Sequence, residues 1–127
     1  ICGDGGFMFA VQELATAVQY GIGVVTLVFN NNAFGNVRRD QKERFEGRVL
    51  GSDLHNPDFL KLAEAFGVRG ERATSPQMLR ATLSRALDCG VPGLIEVPVP
   101  RDSETDPWRF LQPQMPAQTA AGSGAAR

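Results

Sequence analysis

A chain of 127 residues is long enough for one domain with its own hydrophobic core, and 43% hydrophobic with 21% charged residues is an ordinary globular composition. Thirteen basic residues against fourteen acidic ones leave a net charge of −1; phosphate-backbone binding needs a positive excess, so nucleic acid is not an expected partner. No apolar run approaches the roughly 20 residues of a membrane-spanning helix, and two cysteines, Cys2 and Cys89, form neither a disulfide framework nor a metal-spacing pattern, which sets a reducing cytoplasm as the expected compartment.

The chain opens without methionine, and Ile1 and Cys2 read as the end of a buried strand running into a glycine turn. That is the expectation for a piece of a longer chain. Gly3-Asp4-Gly5-Gly6 is a turn by composition. Phe7, Val11, Leu14, Ala15 and Val18 follow at helical spacing, and Gly21 and Gly23 end that helix. Residues 24–29 are β-branched and continuously apolar, which predicts a parallel strand buried on both faces, stopped by Asn30-Asn31-Asn32. A polar, basic stretch over 36–48 is predicted to be partly helical.

Asn56-Pro57 predicts a helix start, with asparagine as N-cap and proline in the first helical position. Phe59, Leu60, Ala63 and Phe66 give that helix its face, and Gly67 closes it. Residues 68–73 read as a short strand. Ser75-Pro76 repeats the start signal, Leu79, Leu83, Ala86 and Leu87 form the next face, and Gly90 stops it. Residues 94–99 read as the last strand. The alternation predicts an α/β fold: a doubly wound parallel sheet with helices on both faces, over residues 1–100. Residues 101–127 turn polar and proline-rich and are expected to form an arm and a disordered tail.

In open parallel sheets, ligands sit beyond the carboxyl ends of strands. Asp4 follows the first strand and Asn31 the second, 27 positions later (31 minus 4), the length of a βαβ unit. A hard cation takes oxygen ligands, usually few from protein and the rest from phosphate and water. Asp4 offers a carboxylate, and Asn31 an amide oxygen that adds no second negative charge. A backbone carbonyl of the following loop, Ala33, is the expected third ligand. Gly3, Gly5 and Gly6 allow close main-chain approach to phosphate oxygens, and a helix starting near Phe7 would aim its positive end there.

These residues resemble a known pattern. Enzymes dependent on thiamine diphosphate (ThDP) carry Gly-Asp-Gly, a gap of fewer than thirty residues, then a strand ending in Asn-Asn. Here GDGG occupies residues 3–6 and VVTLVFNNN residues 24–32; LATAVQYGIGVVTLVFNN, PDFLKLAEAFGV and GLIEVPV are also similar to the family. The resemblance covers residues 1–100, the C-terminal domain that binds the diphosphate. It implies Asp4, Asn31 and the Ala33 carbonyl as Mg2+ ligands, with Gly3, Asp4, Gly5, Gly6, Asn31, Ala33, Phe34 and Gly35 around the cofactor. It also implies a 2-oxo acid substrate, other domains or subunits of the same enzyme, and a homodimer or homotetramer.

The connecting segments are most similar to the acetolactate-synthase-like group, a decarboxylase and carboligase class. That group follows Asn-Asn with Gly-Met-Val-Arg-Gln-Trp-Gln, whereas this chain has Gly35-Asn36-Val37-Arg38-Arg39-Asp40-Gln41. The departure leaves open a decarboxylase for another 2-oxo acid or an acyl-CoA substrate. An inactive or regulatory domain of the same fold also stays open, as does a flavodoxin-like or nicotinamide-binding domain, which the missing GxGxxG turn disfavours. By the resemblance, the glutamate that activates the cofactor lies outside this stretch, so the chain alone is expected to be inactive.

Other residues take plainer readings. His55 is expected at the surface or as a cap. Arg38, Arg39, Lys42, Arg44 and Arg48 are expected on a solvated helix face, paired with Asp40, Glu43 and Glu46. Cys2 is a small buried filler, and Trp108 and Phe110 are expected to pack.

Overall fold

A computed structural model describes residues 1–103. Its elements run β1 (Cys2–Gly3), α1 (Asp4–Met8), α2 (Glu13–Gln19), β2 (Val25–Asn30), α3 (Gly35–Arg44), α4 (Phe59–Ala65), β3 (Arg69–Arg72), α5 (Pro76–Cys89) and β4 (Gly93–Pro98). All strand pairs are parallel, in the order β1-β2-β4-β3, with Cys2 opposite Val28, and Val25 and Arg69 both opposite Gly93.

The apolar runs of β2 and β4 are continuous because both sheet faces are covered. Side chains alternate across a strand. Val28 and Leu94 therefore pack on one face with Phe7, Leu14, Phe59, Ala63 and Val68, and the Phe7 and Phe59 rings meet edge to face at 5.6 Å. Leu27 and Ile95 point to the other face, where Leu79, Leu83 and Ala86 of α5 join Ala73. Helices on both faces make the sheet doubly wound, as the alternating pattern predicts.

Local signals fixed α5 at both ends. The Ser75 hydroxyl accepts from the Met78 N–H, Pro76 opens the helix, and Gly90 closes it at φ 65°. Leu87, read as part of its buried face, is exposed. Three further expectations need correction. The single helix predicted after the glycine turn begins at Asp4 and is interrupted over residues 9–12, where bonds such as Phe9 N–H to the Gly6 carbonyl and Ala10 N–H to the Phe7 carbonyl span three residues. The tighter turn shifts the phase, so Ala17 is buried while Ala15 and Val18 are exposed. The N-cap of α4 is Asp58, whose carboxylate accepts from the N–H groups of Leu60 and Lys61, so Asn56 and Pro57 lie outside the helix. The strands run over Val25–Asn30, Arg69–Arg72 and Gly93–Pro98, each within a residue of the predicted limits. Trp108, Phe110 and most of the expected arm lie outside the described residues.

The turn into β2 passes against the end of α5. A Cβ built on Gly23 would stand 2.7 Å from the Gly90 carbonyl oxygen and 2.9 Å from its carbon. Main chain on both sides cannot swing aside, so Gly23→Ala is expected to cost roughly 1–3 kcal/mol, as overpacking does. A lowered thermal midpoint beside wild type is the reading; an unchanged one would show that the two turns separate freely.

Candidate functional site

Because the strands are parallel, β1 and β2 open their carboxyl ends on one edge of the sheet. Asp4 is the first residue of α1 and Asn31 the first after β2, and both are buried, at 2% and 8% exposure. An acidic residue in a first helical turn sits favourably against the helix dipole. Asn32 takes a left-handed conformation at φ 56°, which asparagine tolerates. The turn brings the Ala33 N–H back to both neighbours, and it donates to Asp4 Oδ2 at 3.2 Å and to Asn31 Oδ1 at 3.1 Å. One N–H thus gathers two side chains that the sequence places 27 positions apart.

The loop after Asn31 is stitched to residues 52–54. Ala33 faces Asp53 in an antiparallel bridge, the Phe34 N–H donates to the Ser52 carbonyl, and the Leu54 N–H donates to the Asn32 carbonyl, both at 2.9 Å. The Arg38 N–H donates to the Phe34 carbonyl at 2.9 Å. Between these, the Ala33 carbonyl receives no main-chain hydrogen bond among the described residues.

Gly3, Asp4, Asn31, Ala33 and Gly35 line one cleft of about 350 Å3, with Phe29, Asn36, Val99 and Ser103. Gly5 and Phe34 turn to a neighbouring hollow of about 290 Å3, which also holds Phe9, His55 and Asn56. A Cβ on Gly5 would meet the Phe34 ring at 2.3 Å, so glycine there makes room for an aromatic side chain, and that ring stacks on Phe9 at 6.2 Å. Gly3 and Gly6 face open space. His55 is exposed, on the rim of the second hollow.

A carboxylate as buried as Asp4 is costly unless paired or metal-bound. Among the described residues no lysine or arginine pairs with it. Nor do three His, Cys, Asp or Glu side chains converge anywhere among them. The oxygens on offer are one carboxylate, one amide and one free carbonyl, a donor set for a hard cation rather than a soft one.

Sequence reasoning missed Asn56. Its amide nitrogen lies 2.6 Å from Asp4 Oδ2, 3.0 Å from Asn30 Oδ1 and 3.3 Å from Asn32 Oδ1. Asn30 in turn donates to Glu96 Oε1 at 2.7 Å, and Arg72 Nε holds Glu96 Oε2 at 2.8 Å. The run Asn30-Asn31-Asn32 was a signal for such a network, but Asn56 beside Pro57 imitates a helix cap.

The basic run departs from expectation in part, since Arg48 does reach the expected Glu46, at 3.9 Å. Arg38 and Lys42 reach Asp102 in the C-terminal segment, and Arg38 also holds Asp53, instead of pairing along the helix. Arg101 Nη2 donates to the Asn32 carbonyl at 2.9 Å and Nη1 reaches Asp53 at 3.2 Å. These contacts clamp Arg101 and Asp102 to α3, Asp53 and the Asn32 loop, next to Ser103, which lines the cleft. Cys2 is half-buried, its thiol donates to the Leu27 carbonyl at 3.5 Å, and burial pushes its pKa up, which suits a filler.

A family profile described as the C-terminal TPP-binding domain of thiamine pyrophosphate enzymes matches residues 1–97. The mitochondrial acetolactate synthase catalytic subunit of Aspergillus candidus is 38% identical over 97 residues, 76% of this chain and 14% of that protein. The acetolactate synthase of Bacillus subtilis (strain 168) is 36% identical over 99 residues, 78% of this chain and 17% of that protein. Among solved structures, a thiamine diphosphate-dependent 4-hydroxybenzoylformate decarboxylase of Rhodococcus jostii RHA1 superposes with a TM-score of 0.74 at 34% identity, over 80% of this chain and 19% of that one. Benzoylformate decarboxylase of Polynucleobacter necessarius gives 0.75 at 26% identity, over 82% and 20%. The chain therefore spans less than a quarter of the length of each protein it matches here.

The clamp carries a pH signature. The Lys42 ammonium, opposed by desolvation and helped by Arg38, holds the Asp102 carboxyl below its ordinary range. A depressed pKa means that the clamp contributes in full above the usual aspartate value and is lost only as pH falls through the lowered one. Carboxyl NMR titration is expected to give Asp102 a midpoint below that of an exposed aspartate, and Lys42→Ala to move it upward. An ordinary midpoint in the unsubstituted protein would show that the clamp is open in solution.

Proposed function

The chain belongs to the thiamine pyrophosphate enzyme family, whose C-terminal TPP-binding domain it carries, and from that premise we propose that Asp4, Asn31 and the Ala33 carbonyl hold a magnesium ion against the diphosphate of ThDP in the 350 Å3 cleft. The observation that carries the reading is the Ala33 N–H shared by Asp4 and Asn31 at 3.2 and 3.1 Å. It sets two oxygen donors side by side, with a carbonyl of the same residue left without a main-chain partner. Magnesium keeps few protein ligands and completes its shell with phosphate and water, so three donors suffice.

Charge decides why one carboxylate stands beside one amide. Asp4 offsets half of the charge of a divalent cation, and Asn31 adds none, so the ion stays positive toward a diphosphate. Gly3 and Gly35 line the cleft without side chains, which leaves room for phosphate oxygens beside the main chain. When bound, ThDP supplies the carbanion chemistry by which 2-oxo acids lose carbon dioxide. The residues of this chain bind and orient the diphosphate end.

For the whole protein, we take the activity to be decarboxylation of a 2-oxo acid, with or without transfer to a second carbonyl. Relatives named acetolactate synthase support a carboligase. Decarboxylases among the similar structures support the alternative of a 2-oxo acid decarboxylase acting on another substrate. Other domains or subunits of the same enzyme, assembled as a homodimer or homotetramer, would complete the site, and a cytoplasmic setting fits its chemistry. No helix among the described residues is long and apolar enough to cross a membrane.

In the full-length enzyme, Asp4→Ala is expected to abolish magnesium-dependent ThDP binding while the fold persists. Calorimetry showing wild-type affinity in the folded variant would sink the ligand assignment. Asn31→Asp tests the charge argument. A second carboxylate adds repulsion toward the diphosphate on the order of 4 kcal/mol at about 4 Å and an effective dielectric near 20, before relaxation. Magnesium affinity without ThDP is expected to hold or rise, and ThDP affinity at saturating magnesium to fall; tighter ThDP binding would place Asn31 away from the ion.

A further inference from the structure

Asp4 is held from one side only. The Ala33 N–H and the Asn56 amide both reach Oδ2, at 3.2 and 2.6 Å, and Oδ1 receives no hydrogen bond among the described residues. The Ala33 bond is shared with Asn31. The short bond from Asn56 to an ionised acceptor is therefore the stronger restraint on the carboxylate plane. We propose that Asn56 is the positioning residue of Asp4: it fixes Oδ2 so that Oδ1 faces the cation, an inference that rests on reading Asp4 as a magnesium ligand.

The arrangement fits that task in three ways. Asn56 is neutral, so it orients the carboxylate without neutralising it; a lysine or arginine in its place would compete with the ion. Its own position is anchored. The amide also lies 3.0 Å from Asn30 Oδ1, Asn30 donates to Glu96 Oε1 at 2.7 Å, and Glu96, only 4% exposed, is held by Arg72 Nε at 2.8 Å. This relay crosses β2 and β4 to β3, on the sheet face of Val28 and Leu94, and its registers are set by the strand pairing. Finally, Pro57 biases Asn56 away from helical backbone, and Asp58 takes over the cap of α4. The Asn56 side chain is thereby released from a capping role to serve Asp4.

Removing a hydrogen-bond partner of a metal ligand typically weakens metal affinity roughly 10–100-fold. The experiment uses the full-length enzyme with Mg2+ and ThDP as the only probes. Calorimetry gives the Mg2+ Kd at saturating ThDP and the ThDP Kd at saturating Mg2+; melting of the cofactor-free protein reports the fold. For Asn56→Ala, the Mg2+ Kd is expected to rise by roughly 10–100-fold, with the ThDP Kd at saturating Mg2+ unchanged and the melting temperature within a few degrees of wild type. An unchanged Mg2+ Kd overturns the proposal. So does a ThDP Kd that rises in step at saturating Mg2+, because general damage to the cleft would do the same. If Asn56→Ala does not fold, Asn56→Leu decides: it keeps about the same volume, removes the donor and adds no charge beside the cation, so a raised Mg2+ Kd carries the proposal, and one at or below wild type overturns it. Asp4→Ala separates this inference from the reading beneath it. If that variant retains magnesium-dependent ThDP binding, the ligand assignment itself fails. If it loses binding while Asn56→Ala behaves as wild type, only the positioning role falls.

Discussion

One main-chain N–H organises the site. Ala33 donates to both Asp4 and Asn31, and it is able to do so only because β1 and β2 lie parallel and adjacent. A βαβ crossover returns the chain to the same edge of the sheet. Slipping the β1–β2 register by one residue would turn Cys2 and Val28 to opposite faces and carry Asp4 off the Asn31 loop. The hydrophobic contacts of Val28 with Phe7 and Phe59 hold that register. Apolar packing on one sheet face is thus what gives two polar residues their separation at the rim.

The same face also carries most of the buried charge. Asp4 and Glu96 are each under 5% exposed, and they are solved differently. Glu96 has Arg72 and Asn30, a compensated pair whose net contribution to stability is small. Asp4 has only neutral donors among the described residues. Asn30 and Asn56 join the two carboxylates in one network without cancelling the second. An asparagine suits the junction because it both donates and accepts, which lets Asn30 receive from Asn56 while donating to Glu96.

Legibility in the sequence followed the range of the interaction. The strands, the caps of α5 and the two-sided sheet were readable because each rests on local pattern: an apolar run, a Ser-Pro start, a glycine stop. The juxtaposition of Asp4 and Asn31 was readable because parallel topology places strand ends predictably. Asn56 was not, since its partner Asp4 is 52 positions away and the local Asn-Pro pair imitates a cap. Arg38 and Lys42 failed for the same reason: helical spacing offered Asp40, Glu43 and Glu46 as partners, yet Asp102, 64 and 60 positions away, takes both. The break in the first helix had no local cause either, as residues 9–12 contain neither glycine nor proline.

The cleft is sparse in ionisable groups. Asp4 is the only ionisable side chain among the described residues that line it, and the hydrogen bonds it receives among them fall on one oxygen; on the magnesium reading proposed above, the other oxygen faces the cation. A group that must keep its charge to hold a metal cannot also exchange protons during a reaction cycle, because each protonation would release the ion. The sole histidine is exposed on the rim of the neighbouring hollow. On that reading the described residues that line the cleft contribute one carboxylate and no second ionisable side chain. Its donors, the Ala33 N–H and the Asn56 amide, are neutral, so they orient the carboxylate without adding or cancelling charge.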